Sequence, residues 1–308
     1  MTTIDAATLS DHIGALCVAM LLFALSTLLL ASAWIAVLNG STQDRPAARV
    51  RLYVAFAVAW IARYVPGTVP FFAGKVYLAR NLGYRSRPLL IATGIENVLE
   101  ILVAGFIGSV LLVVAGGTES SALYALAGVA AATALVALHP AVFSRLANRI
   151  LTLAKREPVP HDAFPSTRTL AAASVFIALN QLTNGIALLI ILRATAGAGW
   201  SDLPLVTAAQ SLAGVAGLLV VIAPAGFGVR DGALAALLAT RVAVGAAALA
   251  AIVMRLVSIC ADVILVTAAL AFDWATGGQV VRGFLRGRTP APAPPARQRG
   301  AVATKEAA

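Results

Sequence analysis

The sequence has 308 residues, of which 60% are hydrophobic and 12% are charged. A water-soluble domain carries about 45–50% apolar and about 25% charged residues, so this composition excludes a soluble enzyme. At about 20 residues per crossing, the apolar residues suffice for roughly seven to nine membrane segments. Lys and Arg number 23 against 13 Asp and Glu, and in a membrane protein this excess indicates cytoplasmic loops rather than nucleic-acid binding.

Hydrophobic runs bounded by charged or turn residues predict the membrane helices in chain order. The longer runs lie at about 12–38, 51–64, 88–114, 121–138, 168–193, 203–223 and 246–273, and two shorter ones lie at 65–79 and 228–240. The residues before the first run include two Asp but no Lys or Arg. We therefore expect a retained helix there rather than a cleaved secretory signal.

Basic segments between the runs predict the orientation of the helices. Four of them carry the excess of Lys and Arg, at 39–51, 75–87, 139–168 and 282–308. By the positive-inside rule, all four face the cytoplasm. The N-terminus and the turns at 115–120 and 194–202 contain no Lys or Arg, so we expect them on the outside.

Two segments cannot cross the membrane once these orientations are assigned. Residues 51–79 begin and end at cytoplasmic segments, so they must enter and leave from that side, with a turn at Pro66-Gly67. Residues 203–241 must enter and leave from the outside, with a turn that starts at Pro224. Proline removes a backbone donor and glycine permits a sharp reversal, so both turns favour re-entrant hairpins.

The two hairpins occupy matching positions in two halves of similar length, about 12–114 and 168–273. The linking helix at 121–138 would place the second half upside down relative to the first. The sequence therefore predicts an all-α integral membrane protein, a polytopic helical bundle of two inverted repeats that each contain a Pro/Gly-broken re-entrant helical hairpin. The alternative is that the Pro-Gly sequences mark ordinary loops.

This membrane domain is predicted to occupy residues 1–281. Between the halves, residues 141–153 place their apolar side chains on one side and are expected to lie flat on the cytoplasmic surface. Residues 282–308 are rich in Pro, Ala and Arg and are predicted to form a disordered basic tail. The expected location is a bacterial cytoplasmic membrane, with the N-terminus outside and the C-terminus in the cytoplasm.

Four ionisable residues lie inside predicted membrane helices. Glu96 and Glu100 share one face of their helix because they are four residues apart, and Arg255 and Asp262 are seven apart on the last helix. An ionisable group at membrane depth costs at least about 2.5–3.5 kcal/mol unless it is paired or hydrated. We therefore expect Glu96 or Glu100 to pair with Arg255, either in a functional network or in a purely structural salt bridge.

Basic residues also accompany the two breaks. Arg63 precedes the first break, and Lys75 and Arg230 follow the two breaks at equivalent positions of the halves. The N-terminus of a half-helix is itself positive and exposes backbone N–H groups, so these features predict a phosphate-sized anion site. The alternative is that Lys75 and Arg230 reach toward lipid head groups or bind Asp231.

Other polar residues carry weaker signals. Asn180, Gln181 and Asn184 lie on one predicted helix, and the spacing of the two asparagines favours interhelical hydrogen bonds over a cavity lining. The three histidines are not spaced as metal ligands, and no P-loop, dinucleotide-binding turn or nucleophile elbow occurs in a suitable context. We therefore expect neither a metal nor a cofactor.

Two motifs at the breaks resemble a known family. They read Arg63-Tyr64-Val65-Pro66-Gly67 and, in the second half, residues 224–231 as PAGFGVRD. Together with an acidic residue on the helix after the first motif, they resemble the lysylphosphatidylglycerol synthase transmembrane region, a flippase-like membrane family. Ala225, Phe227 and Asp231 replace the Gly, Leu and Glu of that pattern.

The resemblance implies a helical membrane domain that moves an anionic phospholipid or a polyprenyl-phosphate-linked lipid between leaflets. The sequence shows no soluble aminoacyl-transferase domain, so lysine transfer is not implied. The alternatives are an integral-membrane enzyme that uses Glu96 or Asp231 as a base, and a non-catalytic accessory subunit of a lipid or envelope glycosyltransferase.

Two sets of site residues follow from the motifs and their implied function, and membrane lipids are the expected partners. The expected substrate-binding residues are Arg63, Pro66, Gly67, Lys75, Gly226, Gly228 and Arg230. The expected ion-pair and gating residues are Glu96, Glu100, Asp231, Arg255 and Asp262.

Overall fold

A computed structural model of the chain describes residues 6–42, 46–65, 69–116, 164–220 and 226–285, with isolated positions between 125 and 152. These residues form helices and turns, and no strand occurs among them. The helices in the continuous ranges are α1 (Ala6–Ser41), α2 (Arg49–Trp60), α3 (Val69–Asn81), α4 (Ser86–Val114), α5 (Thr167–Ala196), α6 (Leu203–Leu219), α7 (Val229–Leu238), α8 (Val244–Ala275) and α9 (Gln279–Leu285).

The all-helical prediction is thus confirmed for the described residues. Five segments in them are long and apolar enough to cross a membrane, namely His12–Ser41, Ser86–Val114, Thr167–Ala196, Trp200–Leu219 and Val244–Ala275. The remaining predicted elements, the linking helix 121–138 and the amphipathic segment 141–153, lie outside the described residues except at isolated positions. The same holds for the turn residues Pro66, Gly67 and Pro224.

Three helices before α8 are too short to cross a bilayer alone. Helices α2, α3 and α7 have 12, 13 and 10 residues. At 1.5 Å per residue they are roughly 15–20 Å long, against about 30 Å for the hydrocarbon layer. They lie where the sequence predicts the two broken hairpins, and a 3₁₀ turn at Ile61–Tyr64 extends α2 toward the first break.

The two halves of the chain pack in the same order. In the first half, α1 contacts α2, α2 contacts α3 and α3 contacts α4, and the same succession holds for α5 to α8. The halves meet along α1 and α5, while α2 packs on α8 and α6 packs on α4. Helices α2 and α6 therefore each contact the last long helix of the other half, which places the centre of the bundle between the halves.

Small residues allow α6 to approach its neighbours closely. A Cβ atom added to Gly185 of α5 would lie 2.7 Å from Cβ of Thr207, and one added to Gly108 of α4 would lie 2.7 Å from Cγ of Leu212. Close approach through small residues is a common way for membrane helices to gain packing contacts. Both glycines position α6 against the two long helices beside it.

We predict that Gly185→Ala destabilises the protein by about 1–3 kcal/mol, because the added methyl group overpacks the α5–α6 contact. The matched control is Gly105→Ala on α4, where an added Cβ meets no atom within 4 Å. The measurement is thermal unfolding of the purified protein in detergent. Equal midpoints for the two variants would contradict this account of α6.

Candidate functional site

A cavity of about 140 Å³, lined by both apolar and polar side chains, lies between the two halves of the bundle. Its wall includes residues from α1 and from α2 with its 3₁₀ turn, and from each of α3 to α8, so both halves of the chain contribute. Its ionisable and carboxamide side chains belong to Arg63, Asn97, Glu100, Asn180, Gln181, Asn184, Gln210, Arg230 and Asp262. The rest of the wall includes aromatic, aliphatic and glycine residues.

Asp262 of α8 contacts three donor side chains from the end of α2 and the 3₁₀ turn that follows it. Its Oδ1 accepts a hydrogen bond of 2.9 Å from Trp60 Nε1, and its Oδ2 accepts one of 2.6 Å from the Tyr64 hydroxyl. The same Oδ2 lies 3.4 Å from Nη2 of Arg63, whose guanidinium stacks 4.3 Å from the Trp60 ring centroid. Asp262 is 3% exposed, so one buried acid joins the end of α2 and its 3₁₀ turn to α8.

Lys75 and Glu96 form a dry ion pair beside the cavity. Lys75 Nζ lies 2.7 Å from Glu96 Oε2, and both side chains are 0–1% exposed. The ammonium group also faces the rings of Phe71 at 4.3 Å and Phe56 at 5.2 Å. Asn97 donates a further hydrogen bond of 2.9 Å to Glu96 Oε2. The pair ties α3 to α4 within the first half.

Asp231 and Arg255 form the corresponding pair in the second half. Nη2 of Arg255 lies 2.8 Å from Asp231 Oδ2, which also accepts a hydrogen bond of 3.2 Å from the backbone N–H of Gly228. Asp231 therefore caps the start of α7 and holds it against α8. Gly228 has a φ of 81°, a left-handed conformation that glycine adopts without strain.

The expected pairing of Glu96 or Glu100 with Arg255 is wrong. Each of the two pairs that form instead joins consecutive helices, because α3 lies against α4 and α7 lies against α8. The ammonium group of Lys75 is fully buried and engaged by Glu96. Lys75 thus belongs with the ion pairs and does not reach the cavity wall.

Arg230 and Glu100 are charged residues of the cavity wall that belong to none of the ion pairs described above. Within the described ranges, neither forms a salt bridge or a hydrogen bond, and both line the cavity together with Arg63. Arg230 lies in the first turn of α7. Just before this helix, the backbone of Gly226 packs against the backbone of Gly217. A Cβ on Gly226 would lie 2.9 Å from Cα of Gly217, so only glycine permits this approach.

The structure thus brings together part of the predicted site. Arg63, Glu100, Gly226, Arg230 and Asp262 line the cavity. Two ion pairs, Lys75–Glu96 and Asp231–Arg255, lie outside the cavity wall together with Gly228. Pro66 and Gly67 lie outside the described residues. In the part of the chain that is described, no group of His, Cys, Asp and Glu side chains could hold a metal ion.

Sequence reasoning missed the carboxamides of the cavity. Asn180 does make an interhelical hydrogen bond, of 2.8 Å from its Nδ2 to the Ser26 carbonyl, but it and Asn184 also line the cavity. The four-residue spacing of these asparagines was the available signal. Gln210 lies in a mostly apolar run of the sequence, so only the packing of α6 against α4 and α5 reveals its place on the wall.

The profile of one protein family, described as "Lysylphosphatidylglycerol synthase TM region", matches residues 2–265. The match covers most of the chain and includes every residue on the cavity wall. The resemblance seen in the two break motifs is thereby confirmed. No curated protein and no solved structure matches the chain significantly.

We predict that Lys75→Met destabilises the protein by about 3–5 kcal/mol, because it leaves Glu96 buried with an uncompensated charge. The double variant Lys75→Met/Glu96→Leu should recover most of this loss, since a buried ion pair can be replaced by apolar groups at little cost. Thermal unfolding in detergent measures both. A double variant no more stable than Lys75→Met would contradict a structural role for the pair.

Proposed function

The chain belongs to the lysylphosphatidylglycerol synthase TM region family, and we propose that it is a lipid translocase. It moves an anionic phospholipid or a polyprenyl-phosphate-linked lipid between the leaflets of a bacterial cytoplasmic membrane. The family and the five apolar helices identify a multi-pass integral membrane protein. The observation that carries the proposal is Arg230, a cation on a central cavity wall without a salt bridge among the described residues.

A phosphate group is the ligand that this cation favours. An arginine at membrane depth is costly unless an anion or water compensates its charge. Asp262 already compensates Arg63 in part, whereas Arg230 has no such partner in the described part of the chain. The planar guanidinium forms paired hydrogen bonds with phosphate oxygens. A lipid phosphate in the cavity would therefore complete the coordination of Arg230, with Arg63 beside it.

Two inverted repeats with re-entrant hairpins would let both leaflets reach this cavity. The proposal is supported by the short helices α2, α3 and α7, by the matching order of contacts in the halves and by the glycine turn at Gly226. Transporters of this kind bind their substrates where broken helices from the two repeats meet. Access would alternate as one half moves against the other.

The salt bridges of the described residues divide into those within a half and one between the halves. Lys75–Glu96 and Asp231–Arg255 fasten each hairpin to the last helix of its own half. Asp262 instead fastens the first hairpin to α8 of the other half. We assign it the gating role, because it is the ionic contact that must break when the halves separate.

We predict that Arg230→Ala lowers the rate of anionic-lipid transport at least about tenfold, the consequence of losing a charge-assisted hydrogen bond of about 1.5–3 kcal/mol. Transport is measured in proteoliposomes as the accessibility of a fluorescent phosphatidylglycerol to a membrane-impermeant quencher. The control is Arg241→Ala, which removes an exposed arginine paired at 3.6 Å with Asp202. Wild-type rates equal to those of protein-free vesicles, or unchanged by Arg230→Ala, would refute the proposal.

The proposed topology predicts the side from which single cysteines react with an impermeant reagent. In a background with Cys17 and Cys260 replaced by Ala, Ala48→Cys and Arg80→Cys flank the first hairpin and should both react from the cytoplasmic side. Ser201→Cys and Ala243→Cys flank the second and should both react from the outside. Reaction of either pair from opposite sides would mean that its hairpin crosses the membrane.

A further inference from the structure

Glu100 differs from the other acids of the membrane domain because it has no direct partner. Each of the other Asp and Glu residues that the structure describes from 96 to 273 is contacted by at least two donors, and these acids are Glu96, Asp202, Asp231, Asp262 and Asp273. Glu100 forms no salt bridge or hydrogen bond in the same part of the chain, and it lies on the cavity wall. Since donors and cations stabilise the ionised form of a carboxyl group, Glu100 is the acid best placed to exchange a proton.

Charges from its own helix and from three other elements surround Glu100. The groups that act on its carboxylate are Glu96 of α4, Lys75 of α3, Arg63 of the 3₁₀ turn and Arg230 of α7. Helices α1, α5 and α6 also pack against α4, and their described residues add no ionisable side chain to the cavity wall. Because Glu96 engages Lys75, the cations that face a charged Glu100 across the cavity are Arg63 and Arg230.

The charges on the cavity wall balance before any ligand enters. Among the described residues, its ionisable side chains are two arginines and two acids, namely Arg63, Arg230, Glu100 and Asp262. Asp262 compensates Arg63 at 3.4 Å, so Arg230 is the cation that remains for Glu100. A lipid phosphate that binds Arg230 takes this compensation away and adds a negative charge beside the carboxylate.

Two anions would then share one cation in a site removed from bulk water, which is strongly unfavourable. A phosphodiester is a stronger acid than a carboxylic acid, so it keeps its charge. The negative charge that can be removed is that of Glu100, because a carboxyl group accepts a proton readily when a second anion lies close to it.

We propose that binding of the anionic lipid is accompanied by uptake of one proton at Glu100. This inference rests on the proposed function and assigns the energy coupling of the same site. A proton from water bonds to one carboxylate oxygen of Glu100 as the phosphate binds Arg230, and it returns to water when the lipid leaves. The loaded site is then as neutral as the empty one. Lipid and proton cross the membrane together, so a proton gradient drives the anionic lipid toward the alkaline leaflet.

The first measurement is the affinity of the full-length protein in detergent for a fluorescent phosphatidylglycerol, whose phosphodiester does not titrate near neutral pH. We expect the affinity to fall as the pH rises, by up to about tenfold per pH unit, because each proton taken up contributes that factor. Calorimetry in two buffers of different ionisation enthalpy counts the protons directly. It should give about one proton taken up per lipid at about pH 8.

The variant that tests the residue is Glu100→Gln, which has the shape of the protonated acid and cannot titrate. It should bind phosphatidylglycerol at every pH as tightly as the wild type does at acidic pH, and it should take up no proton. The matched control is Asp202→Asn, which neutralises an acid outside the cavity wall that is paired with Arg241. This control should keep the pH dependence of the wild type.

The outcomes separate this inference from the proposed function. Binding that depends on Arg230 but not on pH would overturn the proton inference alone, and absence of binding would overturn both proposals. A Glu100→Gln variant that keeps the wild-type pH dependence, or that folds and does not bind the lipid, would overturn the role of Glu100. If this variant does not fold, the proton count of the wild-type protein decides.

Transport is tested in proteoliposomes with an imposed gradient of one pH unit. Coupled movement should enrich fluorescent phosphatidylglycerol in the alkaline leaflet by up to about tenfold, whichever way the protein is inserted. Protein-free vesicles provide the baseline. Transport without enrichment would overturn the coupling and leave the proposed translocase in place.

Discussion

Charged side chains at membrane depth need compensation nearby, and this requirement organises the bundle. Lys75 pairs with Glu96, Arg255 pairs with Asp231, and Asp262 pairs with Arg63. Because these contacts join helices, they also hold α3 against α4, α7 against α8, and the end of α2 against α8. Among the described residues of the cavity wall, Arg230 and Glu100 form no such contact, and we propose that a lipid phosphate is the partner of Arg230.

The ion pairs within the two halves have their cation and their acid in opposite order along the chain. In the first half the cation lies on α3 and the acid on α4, whereas in the second half the acid lies on α7 and the cation on α8. Their environments also differ. The Lys75–Glu96 side chains are 0% and 1% exposed, whereas those of Arg255 and Asp231 are 8% and 26% exposed. The second pair is therefore more exposed to water, and the attraction between its charges is the weaker of the two.

The sequence predicts the helices and the short broken segments better than it predicts the partners of its charges. Glu96 and Glu100 share a helix face by spacing, yet Glu96 turns to Lys75 and Glu100 lines the cavity. That division depends on the rotation of α4 relative to α3, which no local pattern specifies. Arg63, Arg230 and Gly226 were recognisable because they belong to motifs at the breaks. Gln210 was not, because a single polar residue in an apolar run has no periodicity.

The pair between Lys75 and Glu96 also constrains how the protein enters the membrane. Its residues are only 21 positions apart, and each alone would oppose insertion by roughly 2.5–3.5 kcal/mol. Partitioned together as a neutral pair, the two segments avoid most of that penalty. Insertion of α3 together with α4 is therefore less costly than insertion of either helix alone.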